Sequence, residues 1–128
     1  MAKKKKPVKL TKAKIKKMAR TAKRKQLIQW SKDVRERDGN KCIVCGKTEY
    51  LNAHHLIPKK RFPQYMLEIN CGITLCPYCH QFGPFAAETN GIFSAEFLKK
   101  YRIEQWNWVI EKLNIELSKH PLYSHLNL

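Results

Sequence analysis

Apolar residues along the chain change their spacing four times, and each change marks an element. From Met1 to Lys25 isolated apolar residues are scattered among lysines with no burial face, which predicts a basic flexible arm able to become helical on a partner. From Gln26 the texture changes. Leu27, Trp30 and Val34 recur at three and four and predict a short helix with one apolar stripe, ending near Arg37 because Asp38-Gly39-Asn40 is a turn signal. Residues 50–57 read as a strand stopped by Pro58, and Ile73-Thr74-Leu75 as a second, shorter one. Gly83-Pro84 and Asn90-Gly91 are breakers. Beyond them Ser94 is a candidate cap for a helix whose stripe runs Ile103, Trp106, Ile110, Leu113, Leu117, a face expected to pack on the body of the domain. The expected organisation is an arm over 1–25, a domain over 26–93, a helical segment over 94–118 and a tail over 119–128.

Length sharpens this picture. A chain of 128 residues with much of its length in appendages buries too little apolar surface to be comfortable unaided, so a staple is expected. Charge sharpens it further. Thirteen of the 26 Lys and Arg residues lie between Lys3 and Lys25 with no acid among them, leaving a body of 13 basic against 10 acidic residues. A near-neutral body with a polycationic arm suits a polyanion, with nucleic acid first among the candidates and a solubilising tail as the alternative. No apolar run is long enough for a membrane span or a secretory signal, so a reducing, cytoplasmic compartment is expected, where five cysteines read better as metal ligands than as disulfides.

Cys42-Ile-Val-Cys45 and Cys76-Pro-Tyr-Cys79 are two CxxC pairs separated by 30 residues. Four thiolates in a tetrahedron suit zinc, and such a site contributes folding energy directly. It would be the staple. Gly46 after Cys45 permits the positive φ that a metal knuckle often needs. A pair of redox motifs is the rival reading. Cys71 is the odd cysteine, expected to be a small buried residue rather than a fifth ligand.

Within the loop these pairs close lie His54, His55 and Asn70, and His80 follows Cys79 directly. Neighbours on a strand point to opposite faces, so His54 and His55 cannot share one task. His120 and His125, outside the cluster, are read as ordinary side chains. The run Cys42-x-x-Cys45, Ala53-His54-His55-Leu56-Ile57-Pro58, Asn70 and Leu75-Cys76-x-x-Cys79-His80 resembles the HNH endonuclease family, in its zinc-bearing branch common in phages and mobile elements. The resemblance spans roughly residues 30–91. It implies a small α+β fold, a ββα-metal (His-Me) finger stapled by a four-cysteine zinc site, with flanking N- and C-terminal helices. It further implies metal-dependent hydrolysis of DNA phosphodiesters to 5′-phosphate and 3′-hydroxyl ends. His54 and His80 would hold a catalytic divalent ion, magnesium or manganese, while His55 would be the general base, with its loop or ring held by Asn70. Many relatives supply a further ligand one helical turn after the last histidine. Here that place is Pro84, which cannot coordinate, so the ion would either have only two protein ligands or take a third from the Glu88 to Asn90 region.

The chemistry asks for the same residue types. Activating water near neutral pH suits a histidine with one ring nitrogen free and the other fixed by an asparagine or a backbone carbonyl. Lys59, Lys60 and Arg61 after the strand, and Arg35 and Arg37 on the first helix, are candidate phosphate contacts. The arm would bind phosphates without reading sequence, because lysine is a mobile point charge. DNA is the expected partner, with RNA and a protein partner on the C-terminal helix left open. The competing class is a non-catalytic zinc module that only binds nucleic acid.

Overall fold

The structure, a computed structural model, describes residues 9–126, so the lysines at 3–6 lie outside the described residues. The first helix, α1, spans Lys12–Arg37, starting well before the apolar stripe that begins at Leu27 because Thr11 caps it: its Oγ1 accepts from the Lys14 amide at 3.2 Å. The flexible arm expected up to Lys25 is therefore helical from Lys12 onward. The helix stops where the turn signal places it, with Gly39 and Asn40 both at positive φ, 71° and 53°.

Strands β1 (Asn52–His55) and β2 (Gly72–Leu75) form an antiparallel two-stranded sheet, pairing Asn52 with Leu75 and His55 with Gly72. The C-terminal end of α1 lies across this hairpin, with Trp30 and Val34 buried against it. Gly72 makes the approach possible. A Cβ there would stand 2.5 Å from Trp30 Cζ2 and 2.7 Å from Val34 Cγ2. After β2 the chain makes a short π-helical turn, Tyr78–Phe82, then two helices, α2 (Gly91–Tyr101) and α3 (Ile103–Lys119).

The C-terminal part corrects two expectations. Asn90, not Ser94, caps α2, its Oδ1 accepting from the Phe93 amide at 3.1 Å; Ser94 lies within the helix. The expected single helix is broken at Arg102, where φ is −139°. On α3 the buried residues are Gln105 and Val109, with Trp106 and Leu113 packing beside them, while Ile103 is exposed. The inward face is rotated from the apolar stripe because a polar residue has work there: Gln105 Nε2 donates to the carbonyls of Asn70 (2.9 Å) and Gly72 (2.8 Å), satisfying backbone groups at the start of β2.

Asp38 ties the layers together. Its buried carboxylate accepts from Arg37 Nε (2.9 Å) and Nη2 (2.9 Å), Arg102 Nη2 (2.7 Å) and the Thr74 amide (2.9 Å), joining α1, β2 and the α2–α3 junction. Burial alone pushes its pKa up, but the hydrogen bonds from Arg37, Arg102 and Thr74 outweigh that and hold the carboxyl below its ordinary range. Cys71 is fully buried beside Ile57 and Val109, as a core residue.

Candidate metal centre and catalytic site

Two ligand clusters grow from this hairpin. In the first, the sulfurs of Cys42, Cys45, Cys76 and Cys79 all lie within 4.8 Å of one another, with Cys45 and Cys76 at 3.5 Å. A zinc–sulfur bond of about 2.3 Å in a tetrahedron puts sulfurs just under about 4 Å apart, a spacing that Cys45 and Cys76 already have and that the whole set approaches, so its donors and their grouping suit zinc. The knuckle backbone is pre-shaped for it. Gly46 sits at φ 77°, its amide donating to the Cys42 carbonyl at 2.9 Å, while the Cys42 amide donates to Lys47 O at 2.8 Å. Across the cluster, the His80 amide donates to Cys76 O at 2.9 Å, so the second knuckle leads directly into the next ligand. All five cysteines are free of disulfides.

The second cluster is His54, His80 and Glu88, whose ligand atoms also lie within 4.8 Å of one another. His54 projects from β1 toward the π-helical turn, its ring 5.0 Å from that of His80 and set edge-on to it. Burial and the neighbouring His80 push its pKa down to about 4, so it stands as a neutral imidazole, the form that ligates metal. Glu88 comes from the stretch flagged as the source of a third ligand. Pro84 ends the turn, and the chain folds back so that the amides of Ala87 and Glu88 donate to the carbonyls of Cys79 (2.8 Å) and His80 (3.1 Å). That return places Glu88 Oε1 3.0 Å from His80 Nε2. Two imidazoles and a carboxylate suit a divalent ion with coordination positions left for substrate.

His55 points to the opposite face of the strand. Its ring stacks on Trp30 with centroids 3.9 Å apart and planes 12° from parallel, and its Nε2–H donates to the Met66 carbonyl at 3.0 Å. That bond fixes the tautomer. Among the described residues Nδ1 has no hydrogen-bond partner and is left with its lone pair. Burial lowers the His55 pKa, Met66 opposes this and nearby Lys59 reinforces it, so the ring stays neutral at neutral pH.

Asn70 sits in the turn Ile69–Cys71 that leads into β2, and it is its backbone carbonyl that is used, by Gln105. No hydrogen bond joins its amide to His55 among the described residues; the restraint expected of it is supplied by Met66 and Trp30. Trp30 was legible only as a core position. Nothing in its spacing signalled a histidine stacked upon it.

The basic candidates separate. Lys59, Lys60 and Arg61 are all exposed on the turn after β1. Arg35 is half-buried, with Nε bonded to Ser31 O at 3.2 Å within its own helix. Arg37 is committed to the fold: besides Asp38 it donates to Ile69 O at 2.7 Å and Gly72 O at 2.6 Å, so it does not stand free as a phosphate contact. Among the described residues no helix is long and apolar enough to cross a membrane.

A two-stranded hairpin bearing paired histidines, closed on one side by a four-cysteine zinc site and joined to a helical turn that carries a further histidine, defines a zinc-bearing ββα-metal class of small α+β domain. Consistent with this, residues 42–82 match the family model for HNH endonuclease. No curated protein and no solved structure matches the chain.

Proposed function

We propose that the protein is a metal-dependent DNA endonuclease in which His55 is the general base, His54, His80 and Glu88 hold a catalytic magnesium or manganese ion, and the four cysteines hold a structural zinc. The observation that carries this reading is the division of adjacent histidines: His54 joins a three-ligand cluster, while His55, one residue on, is a neutral imidazole with Nε2 tied to a carbonyl. A histidine fixed at one ring nitrogen and free at the other suits a general base, a role a mere binding module lacks.

His55 Nδ1 takes a proton from water as its oxygen attacks the phosphorus; the bond from phosphorus to the 3′ oxygen breaks, leaving a 5′ phosphate and, once that oxygen is protonated, a 3′ hydroxyl. His54, His80 and Glu88 would hold a divalent ion, which when bound would supply positive charge against the charge developing on the phosphate and leaving oxygen. Trp30 keeps the His55 ring in plane and shielded on one face. Lys59, Lys60 and Arg61, exposed just beyond β1, hold phosphates flanking the scissile one.

Nicking of supercoiled plasmid by zinc-replete protein, with and without added magnesium or manganese, tests this. Wild type is expected to nick only with the ion, and His55→Ala to lose that activity while still binding DNA. Equal inertness of both proteins across several metals, with binding intact, would leave a zinc-stabilised nucleic-acid-binding module in place of an enzyme.

A further inference from the structure

The basic half of α1 is continuous with the half that supports the catalytic histidine, and its charges are not spread evenly around the helix. Lys12, Lys16, Arg20 and Lys23 recur at four, four and three, and the same line continues through Leu27, Trp30 and Val34 at four, three and four. At about 100° per residue these seven positions share one stripe. Its last part is the buried face that packs on the hairpin, and its first part projects beyond the body, where every residue from Lys12 to Gln26 is exposed. The stripe therefore changes from apolar to cationic on the side of the helix that carries Trp30, the residue stacked on His55. Lys14, Lys17, Arg24 and Lys25 fall on other sides, and no acidic residue precedes Asp33.

We infer that Lys12, Lys16, Arg20 and Lys23 form a phosphate-binding face for duplex DNA on one side of the cleavage site, held at fixed distance and rotation from His55 by the uninterrupted helix. This rests on the nuclease reading above. The occupant follows from charge complementarity along a rigid rod. With a rise of about 1.5 Å per residue the four cations lie roughly 10 to 27 Å from Trp30 along the axis, a span of about three to eight base pairs. Such a face clamps one flank only, and it makes the helical phase between arm and domain matter.

Two pairs of full-length variants in a His55→Ala background, which prevents cutting, test it by binding to a labelled 30-base-pair duplex over a range of salt. In the first pair four cations become glutamine, either Lys12, Lys16, Arg20 and Lys23 or Lys14, Lys17, Arg24 and Lys25, so the change in net charge is the same. The on-stripe set is expected to lose roughly 100-fold in affinity at low salt and to flatten the salt slope by about three to four, the off-stripe set to lose only a few-fold. In the second pair alanines are inserted between Lys25 and Gln26. Two alanines turn the stripe by about 200° and are expected to reproduce the on-stripe loss, whereas seven turn it by about two full turns and are expected to retain most of the affinity. Circular dichroism and zinc content confirm that each variant is folded. Equal losses within either pair overturn the proposal, because they describe undirected charge rather than a face. Failure of wild type to nick plasmid while the phase dependence holds removes the nuclease reading and leaves the DNA-binding face standing.

Discussion

The two ligand clusters share one short segment, since Cys79 and His80 are adjacent, yet they differ in donor type and in exposure. In the cysteine cluster Cys42 and Cys76 are each 1% exposed, Cys79 is half-buried and Cys45 exposed, the backbone of both knuckles is internally hydrogen-bonded, and the four soft donors are the number a zinc tetrahedron takes. In the histidine cluster the donors are two imidazoles and a carboxylate that is itself 47% exposed, three ligands rather than four. In general a closed ligand set stabilises a fold, whereas an open one leaves coordination positions free. Placing them one residue apart lets the first position the second: the His80 amide is bonded back to the carbonyl of Cys76.

If that division holds, the largest effect belongs to the closed cluster. Cys42→Ser, or thorough removal of zinc, is expected to unfold the domain, because structural zinc supplies about 10 kcal/mol or more of apparent free energy that a core this small does not replace. Native circular dichroism after chelation would show that the cysteines are not the staple.

The second effect is confined to chemistry. His55→Ala is expected to lower nicking by roughly 100- to 10,000-fold without loss of bound zinc or of the folded state. A fall in melting temperature large enough to explain the lost rate would instead make the His55 stack on Trp30 structural.

How much of this was legible beforehand follows from where each signal resides. The CxxC pairs, both strands, the positive φ at Gly46 and the turn after α1 are local features that spacing and turn chemistry specify. What could not be read are partners joined by the fold alone. Asp38 reads as a turn residue, and only the meeting of α1, β2 and Arg102 makes it a buried hub. Gln105 lies beside the apolar stripe and reads as a solvent-facing polar residue, and only its donation to the carbonyls of Asn70 and Gly72 explains its burial. His55 was expected to be fixed by an asparagine or a carbonyl; the strand's exit puts the carbonyl of Met66 there. Arg37 looks like a free cation until its acceptors are known.

A third, smaller effect sharpens the contrast from the open side. Glu88→Gln is expected to weaken binding of the catalytic ion by roughly 10- to 100-fold while leaving zinc content unchanged, measured by titrating nicking against manganese. No change would return the site to two protein ligands. The smallest effect is a slope. The folded Asp38 carboxyl titrates below its ordinary 3.8, so its stabilisation is present above that value and is lost as pH falls through the folded pKa. Wild type and Asp38→Asn should differ in stability at neutral pH and converge in acid below about pH 4, in denaturant titrations; a constant gap would mean the ion pairs to Arg37 and Arg102 contribute nothing.

The claim beneath all of these is that one hairpin carries two metal centres of different kind. Its most direct measurement is zinc content together with manganese binding, followed by electron paramagnetic resonance, in wild type and His54→Ala. A single chelation-resistant zinc is expected in both proteins, and a manganese site in wild type alone. Manganese binding unchanged by His54→Ala, or zinc lost along with it, would contradict the separation of the two centres.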